Sequence, residues 1–212
     1  MNRKKEFYIS NVNFIKGNKD NTDTDLSFMP AIQRRKLSPV DKAAMCVMHG
    51  AYPEYQTEIV FASRYGELDR LDKIISQYQE DNEVSPFAFS TSVHNSVAGQ
   101  FSLLNGIKKS YNALASDENT FSTGLLDSIV RLNKDNDVLY CYADAYKKVT
   151  ACAMLLSQKP KENSIKVELW QKQSAFNGTD DEFEEFQKFV EGEKDSFCAA
   201  DGLFFIKKEL SR

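Results

Sequence analysis

Residues 85–129 read SPFAFSTSVHNSVAGQFSLLNGIKKSYNALASDENTFSTGLLDSI, and this stretch decides the fold class. Its apolar spacing predicts a helix over about residues 92–105, a short buried strand over 111–115 and a second helix over about 119–133. Only the sharp loop Ala115-Ser116-Asp117-Glu118 separates the strand from the second helix. A buried strand that leads straight into a helix is typical of layered α/β folds.

The flanking sequence continues this alternation of strands and helices. Ser38 and Pro39 predict the start of a helix, as its N-cap and first helical residue. Another helix, over residues 181–192, has acidic residues on one side and phenylalanines on the other. A further helix is predicted from an amphipathic stripe formed by Leu68, Leu71, Ile74, Ile75 and Tyr78. Short apolar runs predict strands over residues 7–15, 57–63, 138–143, 151–156, 165–169 and 202–210.

These elements predict an α/β fold with a mainly parallel mixed sheet and helices on its faces. With 212 residues, the chain is long enough to bury a sizeable core. No internal repeat, low-complexity tract or linker divides the sequence. We therefore expect a single domain over residues 1–212.

Composition and charge exclude several classes of partner. The net charge is −4, and the densest basic cluster, Arg34-Arg35-Lys36, is too small for a nucleic-acid or membrane-binding surface. No segment approaches the roughly 20 apolar residues that a membrane helix needs. The N-terminal MNRKKEFYISNVNFI lacks the cleavage site of an export signal. We expect a cytoplasmic protein with no nucleic-acid partner and no membrane span.

The four cysteines, Cys46, Cys141, Cys152 and Cys198, are widely spaced. They form no CxxC motif and have no nearby histidine pair, whereas zinc sites need clustered ligands. Cys46 and Cys152 stand in apolar runs, where a free cysteine packs as a small hydrophobic residue. We expect reduced core cysteines and no metal site.

Several short motifs occur in an order and at a spacing that are specific when taken together. They are Phe61-Ala62-Ser63-Arg64-Tyr65-Gly66-Glu67, Ser85-Pro86-x-x-Phe89-Ser90, Ser92-Val93-His94-Asn95-x-x-Ala98-Gly99, Ser102-Leu103-Leu104 and Thr120-Phe121-x-x-Gly124-Leu125-Leu126. Across residues 57–132 the chain resembles the N-terminal half of β-ketoacyl synthases. It is most similar in kind to the short, chain-length-factor-like proteins found beside bacterial aryl-polyene, dialkylresorcinol and flexirubin-type pigment genes. The resemblance implies a thiolase-like half fold.

The family's chemistry depends on groups that this sequence lacks. In a working β-ketoacyl synthase, the loop after the short strand carries a cysteine at a helix N-terminus, which lowers the pKa of the thiol. Condensation also needs N–H groups for the oxyanion, and two imidazoles that the family supplies from its C-terminal half. Here no cysteine lies between Cys46 and Cys141, both histidines precede the loop, and the sequence ends at Arg212. The resemblance therefore implies no catalytic residues, and no condensation by this subunit alone.

We interpret Ser116, Asp117 and Glu118 as the elbow of a pseudo-active site, in which carboxylates take the place of the thiolate. The alternative is plain capping of the helix that follows, because the helix dipole favours carboxylates at a helix start.

A second set of candidate residues is expected at a subunit interface or an acyl tunnel, which the resemblance places beside the helix over residues 92–105. The residues are His94, Asn95, Ala98, Gly99 and Phe121. The two small residues would allow close backbone approach. The alternative for His94 and Asn95 is a structural role, in which they hydrogen-bond a neighbouring loop.

The resemblance implies a non-catalytic partner subunit in bacterial fatty-acid or polyketide-type acyl chain synthesis. The chain would pair with a full-length ketosynthase, or with itself, and help to shape the tunnel that receives an acyl chain from an acyl carrier protein. It would need no cofactor and no metal. Two other functions stay open. One is a stand-alone acyl hydrolase or acyltransferase that uses Ser116 or an unpaired cysteine, and the other is a homodimeric acyl-binding scaffold.

Overall fold

The computed structural model describes residues 5–19, 22–171, 181–199, 202 and 204–209. Within these ranges the strands are β1 (Lys5–Asn18), β2 (Glu58–Ala62), β3 (Tyr111–Leu114), β4 (Val138–Asp144), β5 (Lys148–Ser157), β6 (Ile165–Gln171), β7 (Ser196–Cys198) and β8 (Phe204–Lys208). The helices are α1 (Ala31–Arg34), α2 (Pro39–Ala51), α3 (Leu68–Asp81), α4 (Pro86–Ser92), α5 (Ser96–Leu104), α6 (Thr120–Arg131) and α7 (Glu182–Glu191). A 3₁₀ turn over Asp117–Asn119 precedes α6. None of these helices is long and apolar enough to cross a membrane.

The strands form one mixed sheet in the order β3-β2-β4-β5-β1-β6-β8-β7. Strand β2 pairs in parallel with β3 and β4, whereas every other neighbouring pair is antiparallel. The α/β class and the mixed sheet are confirmed, but the expected predominance of parallel pairs is wrong. The reason is visible between β4 and β5, where the connection from Asp144 to Lys148 is too short for the crossover that parallel neighbours need.

Helices α2 and α5 cover one face of the sheet. The predicted start of α2 is confirmed: the Ser38 hydroxyl accepts a hydrogen bond from the Asp41 amide at 3.1 Å, and the Asp41 carboxylate accepts one from the Ser38 amide at 3.2 Å. This reciprocal capping box, with Pro39 at the first helical position, fixes where the helix begins. Apolar residues of α2 pack on β1, β4 and β5 and form the core on this face.

Helices α6 and α7 cover the other face. The predicted acidic helix over residues 181–192 is confirmed, and its phenylalanines point inward. The Phe186 ring lies 5.1 Å from the Phe121 ring of α6 and 5.4 Å from the Phe197 ring of β7, measured between centroids. Aromatic rings at such separations add specific edge contacts to the burial of their surface. Helix α7 therefore seals α6 against the sheet.

Several elements differ from the sequence-based expectation. The helix expected over residues 92–105 is present as the shorter α5, and α4 is an additional helix that Ser85 and Pro86 start as N-cap and first residue. The expected closing strand is shorter than its predicted range, and residues 203 and 210 of that range lie outside the described residues. Strand β7 and the one-turn helix α1 were not predicted, because elements this short carry no periodic signal.

Helix α3 forms where the amphipathic stripe predicts it, but its stripe is not buried. Ile74 is the single buried residue of the helix. Leu71, Ile75 and Tyr78 keep 44%, 46% and 55% of their surface exposed. The hairpin of α3 and α4 therefore presents an apolar side to solvent.

A buried charge network attaches this hairpin to α2. Arg70 bonds Glu67 at 3.1 Å and Asp41 at 3.2 Å, and the Ser38 hydroxyl donates to Glu67 at 2.7 Å. The Arg70 guanidinium also donates to the Thr91 carbonyl of α4 at 3.1 Å. Two buried carboxylates thus share one cation. Burial, together with the neighbouring charge of Asp41, raises the pKa of Glu67 to about 8, and burial also raises the pKa of Asp41.

This network makes stability depend on pH. Between the ordinary pKa of 4.5 and the folded value of about 8, the folded state holds a proton on Glu67 that the unfolded state releases. The free energy of unfolding should therefore fall as pH rises through this window. We expect Glu67→Gln, which mimics the protonated acid, to reduce this fall. Urea unfolding at about pH 5 and about pH 8.5 measures it.

The matched control is Glu83→Gln, since Glu83 is exposed just after the same helix. The control should keep the pH dependence of the unsubstituted chain. If the free energy of unfolding of Glu67→Gln falls with pH as steeply as that of the unsubstituted chain, the proton is not held on Glu67.

Candidate functional site

The elbow lies between the end of β3 and the start of α6. Its sharpest point is Asp117, whose φ of 47° falls in the left-handed region that aspartate tolerates better than most residues. Thr120 fixes the turn, because its hydroxyl accepts from the Ser116 amide at 2.9 Å and donates to the Asp117 carbonyl at 2.6 Å. The elbow expected from the sequence is therefore present as a strand, a sharp turn and a helix.

The elbow carboxylates pair with a cation from a neighbouring loop. The guanidinium of Arg64, which follows β2, lies 2.6 Å from the Asp117 carboxylate and 3.8 Å from that of Glu118. Neither Ser116 nor Asn119 makes a side-chain capping bond at the helix starts here. The carboxylates thus contact Arg64, and in the described part of the chain no hydrogen bond joins them to an amide of α6. A favourable interaction with the helix dipole needs no such bond, so both interpretations of the elbow stay predictions.

Asp144, at the end of β4, holds the loop that carries Arg64. Its buried carboxylate accepts hydrogen bonds from the Ser63 hydroxyl at 2.7 Å, the Arg64 amide at 3.1 Å and the Tyr65 amide at 3.0 Å. Because β2 and β4 are parallel neighbours, their carboxyl ends meet at one edge of the sheet. The sequence analysis missed this carboxylate, although an aspartate directly after a buried apolar strand was the available signal.

A cleft of about 680 Å³ opens beside the elbow. Phe121, Tyr142 and Phe183 provide its aromatic surface, and the charged residues around it include Lys147 and Lys148 of the β4–β5 turn. At its edge the rings of Tyr65 and Tyr146 stack with centroids 4.5 Å apart. The described residues that line the cleft include neither cysteine nor histidine. The cleft offers apolar surface and charge, and its described lining has no thiol or imidazole.

The cysteines lie away from the elbow, and in the described residues none of the four forms a disulfide. Cys141 and Cys152 are fully buried in the sheet, as expected, whereas Cys46 and Cys198 are only partly buried. Burial raises the pKa of the thiols of Cys46, Cys141 and Cys152. Since the thiolate is the nucleophilic form, these three side chains are poor nucleophiles.

Both histidines make local packing contacts. The Nε2 atom of His94 lies 3.0 Å from the carbonyl oxygen of Leu114, the last residue of β3. Its ring also packs near Gly66, where an added Cβ would come within 2.7 Å of Nδ1. The His49 ring stacks on Phe28 at a centroid distance of 3.8 Å. In the described residues, no hydrogen bond joins either histidine to the Ser116 hydroxyl.

The five residues expected at an interface or tunnel divide between two places. Phe121 is buried and contributes to the cleft beside the elbow. Asn95 is exposed just before α5, and Gly99 lies against the Tyr111 hydroxyl, which would be 3.3 Å from an added Cβ. Ala98 is fully buried in the core under α5. Its side chain packs in the core, and its place at an interface or tunnel stays a prediction.

Comparison with known proteins identifies the chain's relatives. The family described as β-ketoacyl synthase, N-terminal domain, matches residues 10–182. The chain belongs to this family. No curated protein matches the chain.

Two solved structures are similar to this family member. One, described as a ketosynthase (ApeO) in complex with its chain length factor (ApeC) from Xenorhabdus doucetiae, contains a chain that matches with a TM-score of 0.76 at 17% identity, over 97% of this chain and 100% of that chain. The other, described as the ishigamide ketosynthase/chain length factor, matches with a TM-score of 0.45 at 11% identity, over 74% of this chain and 63% of that chain. The first match confirms the expected thiolase-like fold.

The exposed large hydrophobic side chains of this β-ketoacyl synthase-like chain are concentrated in one stretch of its sequence. Eight of the twelve large hydrophobic side chains that are exposed in the described residues lie between positions 71 and 111. They are Leu71, Ile75, Tyr78, Phe87, Phe89, Val93, Leu103 and Tyr111. In the described sheet, β3 is the terminal strand on this side and pairs only with β2. Clusters of exposed apolar residues are typical of protein interfaces.

Removing the Asp144 carboxylate should loosen the Arg64 loop. Asp144→Ala leaves the Ser63 hydroxyl and two backbone amides without their acceptor, so we expect the free energy of unfolding to fall by about 1–3 kcal/mol. Asp135→Ala is the control, because Asp135 is exposed and should change stability by less than about 0.5 kcal/mol. Denaturant unfolding measures both. Equal stability of the two variants would contradict the anchoring role.

Proposed function

We propose that this chain is a non-catalytic, chain-length-factor-like partner subunit of a full-length ketosynthase, acting in bacterial fatty-acid or polyketide-type acyl chain synthesis. The elbow is the observation that carries this proposal. Its strand, turn and helix are kept, but Asp117 and Glu118 stand there in contact with Arg64. Carboxylates paired with a guanidinium cannot replace a thiolate as the acyl carrier.

The ketosynthase would dock on the side of the molecule where β3 ends the described sheet. A terminal strand offers unpaired backbone groups to an added strand. Leu103 of α5, which is 84% exposed, and Tyr111 of β3 supply apolar contacts beside that edge. Gly99 would allow a partner's backbone to come close. The solved ketosynthase complex with a chain length factor, which shares this fold, supports a partner of the same kind.

The cleft beside the elbow would become part of an acyl tunnel when the ketosynthase covers its mouth. Phe121, Tyr142 and Phe183 give it an aromatic surface that suits an apolar acyl chain. The acyl carrier protein would deliver that chain through the complex, in the cytoplasm. The subunit would need no metal and no cofactor, and residues 1–212 would act as one domain.

Co-expression with a full-length ketosynthase from the same genome tests the docking proposal. Light scattering on a size-exclusion column should show a stable one-to-one complex. Leu103→Arg places a charge at the centre of the docking side and should weaken the complex at least about tenfold. Val130→Arg is the control, because Val130 is also largely exposed to solvent, at 69%, but lies on α6, on the other face of the sheet. If the subunit forms no complex with any ketosynthase, the proposal is wrong.

The alternative of a stand-alone hydrolase or acyltransferase is tested with an active-site-directed acyl probe. We expect no stoichiometric adduct by intact-protein mass spectrometry, since in the described residues no side chain hydrogen-bonds the Ser116 hydroxyl and no histidine lines the cleft. A stoichiometric adduct that disappears in Ser116→Ala would support the enzyme instead. A homodimer that binds acyl chains but no ketosynthase would support the scaffold.

A further inference from the structure

The α3–α4 hairpin carries an apolar stripe that the fold leaves uncovered. Leu71, Ile75 and Tyr78 lie at i, i+4 and i+7, which places them on one side of α3. Phe87 of α4 is also half-exposed. A stripe with this spacing normally packs against another element. The Arg70 network attaches the hairpin to α2, so the position of the apolar stripe on the molecule is fixed.

The far end of the hairpin is acidic. Glu80 and Asp81 lie in the last turn of α3, and Glu83 follows it; all three are exposed. None of them forms an ion pair with a cation in the described residues, and the last turn of α3 has no basic side chain. The C-terminal end of a helix is the negative end of its dipole, so carboxylates there are electrostatically unfavourable unless a cation approaches.

The near end of the hairpin is basic. The Lys36 carbonyl oxygen accepts a hydrogen bond from Arg70, in the first turn of α3, at 3.2 Å, and the Lys36 ammonium lies 4.7 Å from the centre of the Phe87 ring. Arg35 precedes it and is exposed. Neither Arg35 nor Lys36 forms an ion pair in the described part of the chain. Arg70 and Asp81 are eleven positions apart, which corresponds to about 16 Å along a helix. The same end also carries Asp69, which pairs with Lys19, and Asp72, which is adjacent in sequence to Lys73, so its excess charge is that of Arg35 and Lys36. The hairpin region therefore has excess positive charge at one end, apolar residues in the middle and acidic residues at the other end.

We propose that this hairpin face binds a second copy of the chain around a two-fold axis. In a dimer with a two-fold axis, each copy presents the same patch to the other, and the two patches run in opposite directions. The acidic end, Glu80, Asp81 and Glu83, would then meet the basic end of the partner, and the two apolar stripes would cover each other. The charge order along the hairpin is complementary to its own reversed copy, which favours a second copy over an unrelated partner. The strand β3 edge stays free for a ketosynthase, so the full assembly would contain two copies of each subunit.

Two charge-reversal variants test this pairing on the full chain, without a ketosynthase. The unsubstituted protein should show a concentration-dependent dimer by light scattering and analytical ultracentrifugation, weakened by salt. E80K/D81K and R35E/K36E each place like charges opposite each other, and each should raise the dimer dissociation constant at least about tenfold. An equimolar mixture of the two variants should form a heterodimer, because their charges are again complementary.

The control is Leu103→Arg, on the β3 side, which should keep the self-dimer while it weakens the ketosynthase complex. Far-ultraviolet circular dichroism checks that each variant is folded, and all four reversed residues are exposed. Three results would overturn the proposal: an unsubstituted protein that stays monomeric, a variant mixture that does not associate, or loss of the self-dimer in Leu103→Arg. Loss of ketosynthase binding in E80K/D81K with an unchanged self-dimer would assign the hairpin to the ketosynthase.

Discussion

The close approach of α6 to the sheet is the constraint on which the elbow depends. At Gly124 an added Cβ would lie 2.7 Å from the Ala62 Cβ and 2.7 Å from the Tyr140 ring, so a larger residue would push the helix away. One turn earlier, the Tyr140 hydroxyl donates to the Phe121 carbonyl at 2.6 Å. A helix fixed at two points against β2 and β4 must begin where it does. The sharp turn at Asp117 is the consequence.

Residues of this chain bury the outer side of α6. Helix α7 supplies Phe183, Phe186 and Phe189, which pack with Phe121 in one aromatic cluster. Strands β6, β7 and β8 extend the sheet under that helix by antiparallel pairing. The chain thus completes a two-faced core from its own residues. Its uncovered apolar surface is concentrated between residues 71 and 111, where a partner would add the missing contacts.

Local signals explain what the sequence predicted well. The start of α2 follows from Ser38 and Pro39, and the inward phenylalanines of α7 follow from their helical spacing, because both patterns act within a few residues. The pairing of Arg64 with Asp117 joins residues 53 positions apart, and no local rule predicts it. The direction of the strands was also missed, since sheet pairing depends on long-range contacts. For α3, the apolar periodicity predicted the helix correctly. It could not predict that the fold would leave the apolar side of that helix exposed.

The backbone conformation of the elbow is not set by the charged side chains that it carries. Exposed ion pairs contribute only about 0.2–1 kcal/mol, so the contact of Arg64 with Asp117 and Glu118 is too weak to set the backbone conformation. The hydroxyl of Thr120 and the buried Asp144 carboxylate hold that conformation through neutral and charge-assisted hydrogen bonds. Because these hydrogen bonds do not involve the carboxylates of Asp117 and Glu118, the two acids are available to interact with a partner that covers the cleft. Their effect should therefore be sought in the assembled complex, where a partner's reacting groups would lie beside them, and not in the stability of this chain.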